Sequence, residues 1–399
     1  MLVGYIRNAK KPDFFAQLLS MICKYRGIDL IYTTPKGVDI EKGTIKGKVF
    51  IDGKWKKTEV DLPLFIDISP RCFKDKNIKV TNYLREHTLL SDDRTNKLSK
   101  RKLQNKLKED KQFQHLVIPT KKAKDYENLE EFLEIYPTIV MKPISGGRGR
   151  GVYILRKDKE TESYILGYRT EEKRLSSHEL KEFFIENIKE YNYILQKYIS
   201  SRTLQGDPFD CRIHVEKNGK GKWTVARMII RIGIGQKVMS NVNQGGGISD
   251  VEPFLKANFG EKWEEINENI NHLAESLPYK IEELRETSIM TLGLDIAVDK
   301  DGKLFIFESN GSPSTNFLTS EIAVLRSAYY KYVLQSQLGV KDTRLIEKSK
   351  DSELKRVKSV NQKLIKEAEK AEKNLLEIKS SLSWRLTKPL RSFKKIVKK

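Results

Sequence analysis

The ten residues LFIFESNGSP at positions 304–313 decide how this chain is interpreted, because a predicted apolar strand ends there in a carboxylate, an amide and a turn. Side chains two positions apart in a β-strand point to the same face of a sheet. Glu308 and Asn310 therefore present two oxygen donors side by side at the end of this strand. Taken alone, the same pattern also suits a solvated strand end.

A second predicted strand, at positions 292–298, carries Asp295 inside an apolar run. The Asp-Gly dipeptide at 301–302 is typical of a two-residue hairpin turn, which would set Asp295 opposite Glu308. Oxygen ligands on adjacent strands suit Mg²⁺, which binds one or two carboxylates together with nucleotide phosphates. The sequence therefore predicts a magnesium site formed by these two carboxylates and the amide of Asn310.

Size and composition exclude several classes of protein. The 399 residues are 38% hydrophobic, which is enough for a folded core, and the net charge is +21. Residues 341–399 hold 19 Lys and Arg against 8 Asp and Glu, so about half of the excess charge lies in a C-terminal tail. This concentration of positive charge predicts a polyanionic partner for the tail.

Cys23, Cys72 and Cys211 form no CxxC pair, which argues against a disulfide framework or a zinc site. No secretory signal or membrane-spanning run is visible, so we expect a cytoplasmic protein.

The order of predicted strands and helices indicates a chain of the α/β (α+β) class that is divided into several domains and segments. A long helical stretch near the C-terminal half is expected to be broken or kinked at Pro278. The predicted parts are a small N-terminal α/β domain at 1–90, a main domain at 91–340 divided into 91–200 and 201–340, a linker and coiled-coil helix at 341–382, and a basic amphipathic tail at 383–399.

A lysine followed by a glycine-rich loop indicates an anion site. Positions 139–143 predict a buried strand that contains Lys142, and the segment 145–151 is rich in glycine. Glycines let backbone N–H groups approach an anion, and a lysine supplies a point charge for phosphate. The pattern is not GxxxxGK[ST], and a plain surface hairpin is the alternative. The loop residues assigned to the cofactor are Ser145, Gly146, Gly147, Arg148, Gly149 and Gly151.

Two further segments complete the candidate site. Asp210 and Arg212 share a face of one predicted strand, and Arg227 and Arg231 share a face of the next. Because buried guanidiniums are costly without anions, this row suits phosphate and an acidic substrate, with an exposed basic sheet face as the alternative. The polar loop at Asn241 is a candidate lid, or a plain surface loop. One further strand end could offer backbone groups to the edge of an adenine, and an ordinary core strand is the alternative. Its residues are Gln196, Lys197, Tyr198 and Ile199.

Together these residues resemble the ATP-grasp ligases. That family joins a lysine before a glycine-rich loop, a hinge strand, an Asp-x-Arg strand and an Asp…Glu-x-Asn magnesium set, each with a counterpart above. The N-terminal portion and the glycines at 245–247 look most similar to the spore-coat-associated YheC/YheD branch. The resemblance implies the ATP-grasp fold, ATP and Mg²⁺ as cofactors, and Lys97 as a further nucleotide-binding lysine. We assign Asp210 to the cofactor, and Arg212, Arg227, Arg231 and Asn241 to catalysis.

The resemblance also implies a reaction. A substrate carboxylate attacks the γ-phosphate of ATP, and an amine then displaces phosphate from the acyl phosphate to form an amide. We therefore expect an ATP-dependent ligase that attaches an amino acid or amine to a cell-envelope polysaccharide or its precursor. The alternatives are a kinase on the same fold and a non-catalytic scaffold of a spore coat or capsule.

Two C-terminal patterns predict partners. Apolar residues at alternating +3 and +4 spacing from Leu354 to Leu382, with Asn361 at an a-type position, predict a coiled-coil homodimer. A solitary helix that packs on the main domain is the alternative. From Trp384 to Lys399 there are seven basic and no acidic residues, which predicts peripheral binding to the inner face of the plasma membrane. A disordered end is the alternative there, and nucleic acid is not the expected partner. This tail also resembles the ends of bacterial glycosyltransferases and related surface-polysaccharide enzymes.

Overall fold

The computed structural model describes residues 1–96, 98–144, 151–158, 160–236, 246–315, 319–340 and 345–380. The chain divides into two compact units, one of residues 2–340 and one that contains the helix α9 (Leu345–Ser380). Three sheets and the helices packed on them form the larger unit. In the described part of the chain, no helix is long and apolar enough to cross a bilayer.

The first sheet has parallel strands at its centre. β1 pairs in parallel with β2 and β6, and β6 pairs in parallel with β7, so the carboxyl ends of β1, β6 and β7 lie at one edge. The order is β3-β4-β2-β1-β6-β7, with β5 paired to β4. The elements are β1 (Leu2–Ile6), α1 (Phe14–Tyr25), β2 (Asp29–Thr33), β3 (Val38–Asp39), β4 (Thr44–Ile51), β5 (Lys54–Asp61), β6 (Phe65–Ile68), α2 (Ile78–His87) and β7 (Leu89–Leu90).

The second sheet is antiparallel, in the order β12-β11-β10-β9-β13-β8. Alternate residues such as Met141 and Leu195 are buried against the helices α4 and α5, so the intervening residues occupy the opposite face. The elements are α3 (Lys100–Glu109), β8 (Thr120–Lys122), α4 (Tyr126–Ile135), β9 (Thr138–Pro143), β10 (Tyr153–Lys157), β11 (Tyr164–Tyr168), β12 (Glu171–Leu175), α5 (Ser177–Asn187) and β13 (Tyr193–Lys197).

The third sheet, in the order β16-β15-β14-β17-β18, packs one face on α6 and α7. Of the break or kink predicted at Pro278, the break does not occur, since α7 runs through that residue without interruption. The helix α8 packs on α1 and β14 and so joins the first sheet to the third. The elements are β14 (Phe209–Lys217), β15 (Trp223–Ile232), β16 (Gly247–Ser249), α6 (Val251–Phe259), α7 (Trp263–Arg285), β17 (Thr291–Val298), β18 (Leu304–Asn310) and α8 (Thr319–Tyr332).

The hairpin between β17 and β18 differs from the two-residue turn that its Asp-Gly dipeptide predicts. Asp299 donates its N–H to the carbonyl of Lys303 at 3.0 Å, so the loop has three residues, 300–302. Gly302 ends it at φ +86°, as in three-residue hairpin loops. A bulge then leaves Phe307 without an opposite residue, because Ile296 faces Ile306 and Asp295 faces Glu308. The longer loop and the bulge compensate each other, and the predicted pair Asp295–Glu308 forms.

Candidate nucleotide and magnesium site

Four charged side chains share the face of the third sheet that points away from α6 and α7. The strand register sets Arg212 opposite Asp295, and Asp210 opposite Arg231. Arg231 donates from Nε to Oδ1 of Asp210 at 2.8 Å, and its Nη2 lies 3.2 Å from Oδ1 of Asp295. Arg212 donates from Nη2 to Oδ2 of Asp295 at 3.0 Å. The two arginines are partly buried with two carboxylates beside them, which explains how the sheet accommodates them.

Burial changes the acidity of this cluster. Burial raises the pKa of Asp295 to about 6, and the neighbouring Asp210 carboxylate adds to that effect, while Arg231 and Arg212 oppose it. Burial would lower the pKa of the Arg231 guanidinium, but the Asp210 carboxylate outweighs it and the pKa is raised. The charge of Asp295 is therefore costly to bury, and a cation beside it would relieve that cost.

The donor atoms around Asp295 fit Mg²⁺. Oδ1 of Asp295 is buried and lies 2.5 Å from Nε of Arg212 and 3.2 Å from Nη2 of Arg231. Glu308 lies directly opposite on β18, and Asn310 lies opposite Gly293, two residues from Asp295. Two carboxylates and an amide at a strand end are ligands that Mg²⁺ accepts alongside phosphate oxygens. A set with three or more His, Cys, Asp or Glu ligands is not found in the described residues, so the amide is part of the proposed site.

Gly293 allows the parts of this site to approach one another. A Cβ atom at this position would lie 2.9 Å from Nη1 of Arg212 and 2.8 Å from Cβ of Pro313. Pro313 belongs to the segment that follows β18, so a side chain at Gly293 would push apart the arginine and the segment beyond Asn310. The glycine is needed here for close approach.

The second sheet presents the predicted nucleotide-binding residues on its helix-free face. Lys142 lies opposite Ile194, and Gln196 lies opposite Val140, so Lys142 and Gln196 occupy the same face of neighbouring strands. Gln196 is buried and donates from Nε2 to Oγ1 of Thr120 at 3.0 Å. Both residues are held by the strand ladder, and their geometry suits a ligand lying on this face.

The residues after Gln196 connect the second sheet to the third. Nζ of Lys197 lies 5.8 Å from the ring centroid of Tyr136, and the hydroxyl of Tyr198 accepts a hydrogen bond from Arg202 at 2.6 Å. Ile199 is buried in a small apolar cluster with Ala297, two residues from Asp295. Ile199 therefore anchors the predicted hinge to the strand that carries the magnesium ligand. Its role is packing, with the side chain turned into the core.

Several predicted residues lie elsewhere. Arg227 is partly exposed, and its partners are Asp250 at 3.5 Å and Glu321 at 3.7 Å, so its contacts lie outside the cluster around Asp295. Gly151 is described and has φ +69°, as expected for the end of a glycine loop. The predicted residues that lie outside the described residues are Lys97, Ser145, Gly146, Gly147, Arg148, Gly149 and Asn241.

A polar cavity of about 340 Å³ adjoins the end of β18 and was not predicted from the sequence. Its walls include residues 311–315, directly after the proposed magnesium ligands, and Arg326 of α8. The first sheet contributes Arg7 after β1, Arg71 after β6 and Asp92 after β7. Ligand sites lie outside the carboxyl ends of parallel strands in open α/β sheets. The polar residue after each of these strands was the sequence signal that could have located the cavity.

A buried network of charges holds this cavity together. Arg326 donates from Nη2 to Oε1 of Glu216 on β14 at 2.6 Å, and its Nη1 lies 3.8 Å from Oδ2 of Asp67 on β6. Asp67 in turn accepts hydrogen bonds from Arg7, at 2.9 Å, and from the hydroxyl of Tyr330. The cavity walls are thus fixed to both the first and the third sheet.

A family profile described as YheC/D-like ATP-grasp matches residues 93–335, more than half of the chain. This chain belongs to the YheC/D-like ATP-grasp family. The matched region begins after the first sheet and includes every described residue of the proposed nucleotide and magnesium sites. The fold predicted from the sequence is confirmed, and ATP and Mg²⁺ are the cofactors that go with it.

Individual relatives of this ATP-grasp chain are distant. It is 24% identical over 349 residues to the endospore coat-associated protein YheC of Bacillus subtilis (strain 168), covering 83% of this chain and 95% of YheC. It is 23% identical over 324 residues to the endospore coat-associated protein YheD of the same organism, and the match covers 77% of this chain and 69% of YheD. Among solved structures, the ATP-grasp ligase PsnB, complexed with minimal precursor, Mg and ADP, is 12% identical to this chain. The match covers 82% of this chain and 98% of PsnB, with a TM-score of 0.48.

Proposed function

We propose that this protein is an ATP- and Mg²⁺-dependent carboxylate–amine ligase. The observation that carries the proposal is the placement of buried Asp295 directly opposite Glu308, on a strand pair that runs directly into the polar cavity at 311–315. A metal-binding strand end beside a pocket with several arginines suits a reaction between a nucleotide phosphate and an acidic substrate.

The proposed reaction forms an amide in two steps. A carboxylate oxygen of the acid substrate attacks the γ-phosphorus of ATP, the bond to the β-phosphate oxygen breaks, and ADP leaves. The amine nitrogen then attacks the acyl carbon, the carbon–oxygen bond to phosphate breaks, and the amine loses a proton. Mg²⁺ on Asp295, Glu308 and Asn310 would neutralise phosphate charge, which is the chemistry that this cofactor supplies.

The protein's own residues divide the remaining tasks. Lys142 and Gln196 hold the nucleotide against the second sheet. Arg212 and Arg231, beside Asp295, stabilise negative charge on the transferred phosphoryl group, because preorganised cations in a buried site cost no reorganisation. Arg7 and Arg71, which line the cavity, bind the acid substrate. No side chain needs to become a covalent nucleophile.

The proposed substrate is an acid or amine of the cell envelope, joined to an amino acid or amine. The relatives YheC and YheD are named as endospore coat-associated, which supports an envelope substrate. We also propose a homodimer through α9 and attachment to anionic lipid through residues 383–399, which lie outside the described residues. Val357 and Leu364 on the predicted seam of α9 are 52% and 56% exposed, so these positions are accessible to a second copy.

The test measures ADP release by the purified full chain with Mg²⁺, ATP and pairs of acids and amines. Release that requires both substrates, together with an amide product, supports the proposal. Glu308→Gln is expected to abolish it, while Glu172→Gln, on the exposed edge strand β12, leaves it unchanged. Full turnover by Glu308→Gln would contradict the metal assignment. A phosphorylated acid formed without any amine would indicate a kinase, and absence of ATP binding in calorimetry would indicate a scaffold.

A further inference from the structure

The first sheet carries a second concave surface, of about 580 Å³, on the side of β4 and β5. We call it the lysine groove. Its charged lining residues are one glutamate and five lysines, namely Glu59, Lys10, Lys36, Lys46, Lys48 and Lys57. The remaining lining is hydroxyl-bearing or glycine, with Tyr32, Thr33, Thr34, Thr58, Gly37 and Gly47. The net positive charge of this lining therefore favours an anion.

Two of these lysines are placed unfavourably for the protein alone. Lys48 on β4 lies directly opposite Lys57 on β5, and like charges in directly opposed positions of an antiparallel pair destabilise it. Within the described residues neither lysine forms an ion pair. The nearby Lys46 reaches Asp39 and Glu59 only at 3.8 and 3.7 Å. An anion in the groove would offset this repulsion.

The groove is built on rigid backbone. Gly37 approaches so closely that a Cβ atom there would lie 2.3 Å from the carbonyl oxygen of Lys46. Thr33 donates from Oγ1 to the same carbonyl at 2.6 Å. The hydroxyl of Tyr32 donates to the carbonyl of Ala9 at 2.8 Å and so fixes the loop that carries Lys10. The lysines therefore extend from fixed positions around a floor that has few side chains.

We propose that the lysine groove binds an anionic polysaccharide. Lysines act as separate point charges and suit charges spaced along a chain, and threonine hydroxyls suit sugar hydroxyls. Nucleic-acid sites typically add arginine and open aromatic faces on which bases stack. Among the described residues that line the groove none is an arginine, and the lining tyrosine, Tyr32, is buried edge-on against Trp55, with ring centroids 5.9 Å apart.

The groove and the polar cavity flank the same loop. Lys10 lines the groove, while Arg7 and Asp13, at either end of that loop, line the cavity of about 340 Å³. The loop at 7–13 therefore borders both the groove and the cavity assigned to the acid substrate. A substrate role for the bound polysaccharide rests on the proposed function, whereas binding in the groove does not require it.

The test is fluorescence anisotropy of a labelled oligogalacturonate with the full chain, without ATP or amine. We expect binding that weakens with salt, is lost with a neutral dextran oligosaccharide, and falls roughly tenfold in Lys48→Gln/Lys57→Gln. The matched control is Lys54→Gln/Lys56→Gln, which removes the same charge from the opposite face of the same hairpin and is expected to change affinity less than about twofold. The basic tail is present in every variant, so only the difference between the two double variants reports on the groove.

Several results would overturn the proposal. No binding by the unmodified protein, or an equal loss in both double variants, would show that the groove is not a specific site. An oligouridylate that binds as tightly and loses affinity only in Lys48→Gln/Lys57→Gln would make the groove a nucleic-acid site. Because the assay contains no ATP, failure of binding and failure of the ligase assay are separate outcomes.

Discussion

Asp295 and Arg212 face each other across β17 and β14 with only 2.5 Å between Oδ1 of the carboxylate and Nε of the guanidinium, yet neither atom has a hydrogen-bond partner among the described residues. The two atoms are in contact as charges, but the N–H is not directed at the oxygen. Nη2 of Arg231 lies 3.2 Å from the same oxygen, so two guanidiniums hold this carboxylate in place opposite Glu308.

Mg²⁺ binding is expected to depend on pH through Asp295. Metal ligands must be deprotonated, so protons and Mg²⁺ compete for this carboxylate. Because burial raises the pKa of Asp295 to about 6, affinity for Mg²⁺ with a non-hydrolysable ATP analogue should be constant above about pH 7. Below pH 6 it should weaken by up to roughly tenfold for each pH unit. Calorimetric titrations from about pH 5 to 8 measure this, and a constant affinity over that range would contradict it.

Replacement of Gly293 by alanine is expected to damage the site more than the fold. The new Cβ would meet Arg212 and Pro313 at 2.9 and 2.8 Å, and relieving such overpacking costs about 1–3 kcal/mol. We expect lower kcat in the ADP-release assay and a modest loss of stability in urea unfolding.

Gly167→Ala on β11 is the matched control for this change. A Cβ there would meet neighbours at ordinary distances of 3.7 Å or more, and β11 belongs to the second sheet, whereas the proposed magnesium ligands lie on the third. We expect Gly167→Ala to retain activity. Equal effects of the two substitutions would show that glycine-to-alanine changes in strands, and not the approach of Arg212 to Pro313, cause the loss.

The buried pair Glu216–Arg326 is expected to set stability in acid. Burial would raise the pKa of Glu216, but Arg326 and a hydrogen bond from His214 outweigh it and lower the pKa below its ordinary 4.5. The ionised carboxylate thus stabilises the folded state fully above about pH 4.5, and this stabilisation is lost as pH falls through the lower, folded-state pKa. Glu216→Gln should lose about 3–5 kcal/mol in urea unfolding at pH 7 and show a flatter decline in acid.

An exposed ion pair gives the comparison for Glu216. Glu252 accepts from Lys256 at 2.6 Å on α6, and both side chains are at least half exposed. Surface pairs at this spacing contribute little, so Glu252→Gln should change the free energy of unfolding by less than about 0.5 kcal/mol. A Glu216→Gln protein as stable as Glu252→Gln would mean that the buried network does not hold the two sheets.

The strands that carry the proposed metal ligands were predictable because their signal is local. The alternation of side chains along β18 and the carboxylate inside β17 are each visible within ten residues of sequence. Both remain recognisable even when the type of turn between the strands is predicted incorrectly. The register was still predicted for an incorrect reason. The extra loop residue and the bulge at Phe307 cancel, and neither has a signature in the sequence that distinguishes it from a two-residue turn.

The polar cavity was not predictable to the same extent, because its walls come from distant parts of the chain. Arg7, Asp67 and Arg326 meet only when α8 packs between the first and third sheets. Each of these residues is an ordinary charged position in its own segment, and only the three-dimensional structure shows that they are buried together. Likewise, the ion pairs that hold Arg227 to Asp250 and Glu321 depend on where α6 and α8 begin.

On the helix α9, two neighbouring residues can distinguish a coiled-coil interface from general apolar contact. Leu364 occupies a predicted core position of the heptads and Ile365 does not, although their exposed fractions are 56% and 57% in the single chain. A charge buried at a coiled-coil seam is costly, whereas the same charge outside the seam remains in water. In sedimentation velocity at matched concentrations, we expect Leu364→Asp to be a monomer and Ile365→Asp to remain a dimer like the unmodified protein. If both variants stay dimeric, the heptads do not form the interface; if both dissociate, general apolar contact along α9 holds the copies together.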